Sequence, residues 1–208
     1  SVIRNGRIVT AIDDYCADVL MEDGRIATIG KSLSVGENVT EYDATGLLVL
    51  PGGVDCHTHM ENTFGRSKTC DTFESGTRAA AFGGTTTILN FAFQWPDVSP
   101  LEAIADMQAR AESQVSVDFG LHVILTHIND QVLTDVRSAI ESEGVTSFKM
   151  FMAYPGIVMS DDAAIFRAMR LVGQHGGMVA LHAENGLVID RLIEEALAAG
   201  HTSPKYHG

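Results

Sequence analysis

After Pro51-Gly52-Gly53 the chain alternates short apolar runs with longer amphipathic runs, five times before position 208. That alternation constrains the fold more than any other feature. The expected strands cover 54–59, 85–91, 117–125, 146–151 and 178–182, and the expected helices 71–82, 99–112, 130–143, 161–174 and 186–199. Regular βα alternation implies parallel strands joined by right-handed crossovers. A doubly wound open sheet and a (β/α)8 barrel both accommodate five such units. A full barrel takes roughly 250 residues, so 51–208 would be only the first part of one. Ser99 and Pro100 mark a helix start as N-cap and first-turn proline, and Ser160 is the expected cap of the fourth helix.

Residues 1–50 have a different texture. Strand-like runs flank Asn5-Gly6, the strongest short hairpin signal, and a second turn at Glu22-Asp23-Gly24. The segments 38–42 and 47–50 flank a third turn at 43–46. The expectation is a small, mostly antiparallel β unit over 1–50, followed by an α/β unit over 51–208.

The totals exclude several classes. A net charge of -13 with 20% charged residues argues against nucleic acid and against an anionic membrane surface. The three cysteines, Cys16, Cys56 and Cys70, form no disulfide framework and point to a reducing compartment. No apolar run nears the roughly 18 residues of a membrane span, and the first residues lack a signal-peptide pattern. A cytoplasmic protein is the expectation.

Four places could carry chemistry. In Asp55-Cys56-His57-Thr58-His59, side chains two apart share a strand face, so His57 and His59 project together at the end of the first βα strand. Barrel enzymes build their sites at that end, and two imidazoles on one face make a metal pair. Cys56 would point the other way as a buried, inert thiol. Lys149 lies in the apolar strand Ser147-Phe148-Lys149-Met150-Phe151, where a buried ammonium is costly. It either snorkels out, pairs with a buried acid, or stays neutral and reacts with CO₂ to form a carbamate able to bridge two metals. His182 closes the fifth strand at the same rim. Tyr154 follows the Lys149 strand, and its hydroxyl could donate to a developing oxyanion. Phe64 either walls a substrate pocket or packs locally. Glu61 continues the His57/His59 alternation, but the strand is expected to end before it. His122, His127 and His175 fall outside the rim set.

Together these residues resemble the dihydropyrimidinase/D-hydantoinase branch of the amidohydrolase superfamily. The matching stretches are 51–60 (PGGVDCHTHM), 76–89 (GTRAAAFGGTTTIL), 147–154 (SFKMFMAY), 181–186 (LHAENG) and 204–207 (PKYH). The resemblance implies a (β/α)8 TIM barrel preceded by part of a β-sandwich domain. It implies two divalent metal ions, zinc, held by His57, His59, carbamylated Lys149 and His182. It also implies contacts from Tyr154 and Phe64 to a small cyclic amide, and a homotetramer. The implied reaction is hydrolysis of dihydropyrimidines or 5-substituted hydantoins to N-carbamoyl amino acids by a metal-activated hydroxide. Allantoinase or dihydroorotase activity, or a non-catalytic metal-binding or assembly role, are the alternatives. Met60-Glu61-Asn62-Thr63-Phe64 lacks the arginine or other polar contact usual there in the first two. Asn62-Thr63 and 66–70 depart from the commonest hydantoinase pattern. The family also uses a sixth-strand histidine and an eighth-strand aspartate. The sequence is therefore expected to be the first part of a longer chain, inactive by itself.

Overall fold

The computed structural model describes residues 1–207, and the side chain of Phe64 lies outside the described residues. The chain forms two compact units, Ser1–Gly53 and Val54–Gly208.

The first unit is a five-stranded sheet of β1 (Val2–Val9), β2 (Asp14–Glu22), β3 (Arg25–Gly30), β4 (Glu41–Asp43) and β5 (Leu48–Val49). The β2–β3 hairpin turns on Asp23 and Gly24, both with positive φ, as the strand twist favours. The hairpin expected at Asn5-Gly6 does not form. β1 runs straight through it, and the register against β2 shifts between Ile3 and Gly6. Asn5 takes the left-handed conformation (φ 58) and donates its N–H to Asp18 at 2.9 Å. An Asn-Gly pair supplies positive φ as readily to a β-bulge as to a turn, and here the buried carboxylate captures the freed N–H. Gly6 is required for a second reason, since a Cβ there would stand 2.4 Å from Val49 Cγ2. Nor do the segments around 43–46 form a hairpin. β4 pairs with β1 at Val2–Arg4 and β5 pairs with it at Arg7–Ile8, both parallel. Asp43 accepts from the N–H and hydroxyl of Thr45, an Asx turn that sidesteps the chain without reversing it.

Asp18 organises this unit. It accepts from the N–H groups of Asn5 and Leu33 and from Arg4, whose guanidinium also makes a two-pronged contact with Glu41. The Asn5 and Leu33 N–H bonds, followed by Arg4, hold the Asp18 carboxyl below the usual carboxylate range.

The second unit carries β6 (Gly53–Thr58), β9 (Thr85–Gln94), β10 (Asp118–Leu125), β11 (Ser147–Phe151) and β12 (Met178–His182). Their order in the sheet is β12-β11-β10-β9-β6, and β9 through β12 pair in parallel. A doubly wound sheet reverses its strand order at a switch point. Here each strand is laid beside the one before it without reversal. This is the progression of a (β/α)8 barrel, of which five strands are present. Helices α1 (Phe73–Phe82), α2 (Pro100–Ala111), α3 (Asp130–Ser142), α4 (Asp162–Gln174) and α5 (Gly186–Ala198) follow the strands in turn. Between β6 and α1 lies an unforeseen two-stranded hairpin, β7 (Thr63–Phe64) with β8 (Ser67–Lys68).

Capping explains where the helices start. Thr72 and Ser99 form capping boxes with Ser75 and Glu102, and Asn129, Asp161 and Asn185 cap α3, α4 and α5. Asp161 therefore takes the role expected of Ser160. It is one residue nearer the helix, and its carboxylate accepts from Ala164 N–H at 2.7 Å. One apolar core, including Phe73, Ile88, Ile104, Val123, Phe148 and Met150, lies between helices and sheet. Cys56 is exposed, against the expectation of a buried thiol. Among the described residues no helix is long and apolar enough to cross a membrane.

Because the native carboxyl of Asp18 titrates below its unfolded value, its stabilisation is complete above about pH 4 and is lost as pH falls through the lowered native value. Asp18→Asn is expected to lower the stability of the first unit at neutral pH and to flatten its decline on acidification. Thermal denaturation across that pH range checks both.

Candidate active site

Strand geometry sets the site. His57 lies in β6 and His59 just past its end, two residues apart, with ring centroids 5.1 Å from each other. Both rings pack against Phe91 of β9, at 4.8 and 4.7 Å. On β11 the alternation turns Phe148 and Met150 into the apolar core and Ser147, Lys149 and Phe151 to the opposite face. His182 ends β12, with its ring 5.6 Å from Phe151. His57, His59, Phe91, Ile124, Lys149, Phe151 and His182 line one cavity of about 170 Å³.

Burial disfavours bound protons at two of the nitrogens that line this cavity, those of Lys149 and His59. Burial pulls the Lys149 amine below the ordinary lysine value, and its Nζ stands 5.2 Å from the centre of the Phe151 ring. Among the described residues it has no carboxylate partner. It therefore does not pair with a buried acid there. His59 is depressed by burial first, then by the nearby positive charge of His57 and Lys149. Both effects disfavour bound protons, as a ligand set for cations requires.

Neighbouring groups hold these side chains in place. The fully buried Asn90 accepts from Met60 N–H at 2.8 Å and donates to Met60 O at 3.1 Å, so it fixes the backbone directly after His59. Asn62, 3% exposed, places Nδ2 3.3 Å from His59 Nδ1 and 3.2 Å from the Phe91 carbonyl. His182 Nε2 meets Glu184 Oε2 at 2.7 Å. Gly186 opens α5 against the turn after β11, donating to Met152 O, and a Cβ there would lie 2.9 Å from Ala153 Cα.

The other expected residues are placed less uniformly. Tyr154 does not line the cavity and is 48% exposed, but its ring lies 5.5 Å from that of His182. Its positive φ (63) is uncommon for a bulky residue and is held by its carbonyl, which accepts from Ile157, Val158 and Met159. Phe64 has its backbone in β7, and its side-chain role lies outside the described residues. Glu61 sits beyond β6 against Arg110. His127 lies away from the cavity, and His175 pairs with Glu141. Phe91, Ile124 and Phe151 were missed as wall residues. For Phe151 the signal was available, because it follows Lys149 by two on the same strand.

The description of a known family matches residues 48–207, that of the amidohydrolase family. The chain belongs to the amidohydrolase family. It is 49% identical over 214 residues to a D-hydantoinase of Streptomyces coelicolor, covering 100% of this chain and 45% of the relative. It is 39% identical over 210 residues to a dihydropyrimidinase of Rattus norvegicus, covering 99% and 40%. The solved structure of D-hydantoinase from a Bacillus sp. superposes with a TM-score of 0.94 at 47% identity, covering 99% of this chain and 45% of that one. The chain thus spans less than half the length of these relatives.

Amidohydrolase chemistry implies divalent metal, and the donors present suit it. Three imidazoles and an amine whose protonation burial disfavours face one small cavity. No three His, Cys, Asp or Glu side chains among the described residues cluster as a ligand set by themselves. The arrangement is a histidine pair and a separate histidine, with Lys149 on the same cavity wall.

Removing the Asn90 side chain leaves the Met60 N–H and carbonyl buried without partners. Asn90→Ala is expected to destabilise the second unit by about 2–4 kcal/mol, measured by denaturant unfolding.

Proposed function

We propose that this amidohydrolase chain belongs to a metal-dependent enzyme that opens the ring of dihydropyrimidines or 5-substituted hydantoins. The product is the N-carbamoyl amino acid. The observation that carries this reading is the shared cavity of His57, His59, Lys149 and His182, in which the lysine has no carboxylate counter-ion among the described residues. The names of the relatives at 39–49% identity point to the same substrates.

Lys149 has the chemistry for a carbamate. Its amine lone pair attacks CO₂, an N–C bond forms, and one proton leaves to solvent. The product is an anion with two oxygens where a cation would have been costly. His57, His59, the Lys149 carbamate and His182 would hold two divalent ions, zinc by their nitrogen and oxygen character. Ions held there would supply an activated water and polarise the ring carbonyl. Hydrolysis adds OH to the carbonyl carbon, breaks the ring C–N bond and returns a proton to the leaving nitrogen. The Tyr154 hydroxyl, on a ring 5.5 Å from that of His182, would donate to the carbonyl oxygen as charge builds on it. Phe91 and Phe151 give the cavity apolar walls that exclude bulk water.

In the full-length protein, Lys149→Ala is expected to lose both bound zinc and turnover of a dihydropyrimidine and hydantoin panel. Short carboxylic acids would restore part of the activity by replacing the carbamate oxygens. Retention of metal and turnover by this variant sinks the assignment. Tyr154→Phe should keep its metal and lose roughly 10²- to 10³-fold in kcat, as steady-state kinetics will show.

A further inference from the structure

His122 stands outside the cavity, yet it is bonded on both ring nitrogens. Its Nε2 lies 2.9 Å from the Cys56 carbonyl, and its Nδ1 contacts the Ser147 hydroxyl. A carbonyl can only accept, so Nε2 carries the proton. In the neutral ring Nδ1 then accepts from Ser147. The two partners lie on strands that are not neighbours. His122 is on β10, Ser147 on the adjacent β11, and Cys56 on β6, with β9 between β10 and β6. His122 pairs in register with Phe91 on β9, and its ring packs against Phe91 at 4.9 Å on the way across.

What this span connects is specific. Cys56 precedes His57 by one residue, and Ser147 precedes Lys149 by two on the same strand face. The Phe91 ring under His122 is also the ring against which His57 and His59 pack. Ladder hydrogen bonds fix each strand against its neighbour, and small offsets accumulate over the intervening strands. A rigid imidazole bonded to β6 and β11 at once removes that freedom at one level of the sheet. That level lies directly before the histidine pair and the lysine.

We propose that His122 is a positioning residue: a strut from β10 to β6 and β11 that sets the separation between the His57/His59 pair and Lys149. This deepens the proposed function and rests on that reading.

Zinc affinity of the purified full-length protein, measured by competition with a chromophoric chelator, tests it alongside the thermal midpoint of the metal-free form. His122→Phe keeps the aromatic packing and deletes both hydrogen bonds. It is expected to weaken zinc binding by roughly 10- to 100-fold, the range seen when groups behind metal ligands are removed. His122→Gln, which can still donate to the Cys56 carbonyl, should recover most of that loss. Ser147→Ala removes one arm only and should weaken zinc several-fold with little change in the midpoint. This variant keeps the test decisive if His122→Phe fails to fold. Wild-type zinc affinity in the folded fraction of Ser147→Ala or of His122→Phe, or losses that merely track the metal-free midpoint, would overturn the strut. A wild-type protein that binds no zinc would overturn the strut and the proposed function together. Tight wild-type binding with unaffected variants overturns the strut alone.

Discussion

A parallel sheet brings all its strand ends to one rim, and the candidate site depends on that constraint. β9 through β12 run in one direction because a helix returns the chain after each of them. His59 just past β6 and His182 at the end of β12 are far apart in sequence, yet both face a cavity with Lys149. The capped helices on one side of the sheet bury Phe148 and Met150. The side chains between them in sequence are thereby committed to the other side.

Lys149 is the costliest of these commitments. An ammonium in a small cavity walled by two phenylalanines and three imidazoles has, among the described residues, the Phe151 ring but no carboxylate to offset its lost hydration. The structure responds with a depressed amine, and the same desolvation lowers His59 beside it. The outcome is a cavity in which burial works against protons on Lys149 and His59. Under the proposed reading, conversion of the amine to a carbamate changes the sign of the group, and burial then favours the cations it faces.

Support for these side chains comes from two buried amides and a partly buried imidazole. Asn90 fixes the backbone at Met60, Asn62 reaches the His59 ring, and His122 spans from β6 to β11. Phe91 lies against three histidine rings at once. Each of these groups has an ordinary local sequence context, and none forms a motif.

The βα alternation, the helix start at Ser99, the i, i+2 pairing of His57 with His59, and the odd lysine in an apolar strand were all legible in the order of residues. They depend on periodicity and capping, which act over a few neighbours. The first unit shows where local reasoning ends. Asn5-Gly6 reads as a hairpin until Asp18, thirteen residues away, captures the Asn5 N–H, and the pair becomes a bulge within one strand. Likewise the segments after position 40 read as a hairpin, but β1 offers each of them a parallel partner. Barrel against open sheet was undecided by five βα units, because strand order is a property of the sheet and not of any unit within it. The lack of a carboxylate at Lys149 among the described residues, the Glu184 contact to His182 and the two hydrogen bonds of His122 are also tertiary facts. Each joins residues whose separation along the chain carries no signal until the sheet has closed the distance.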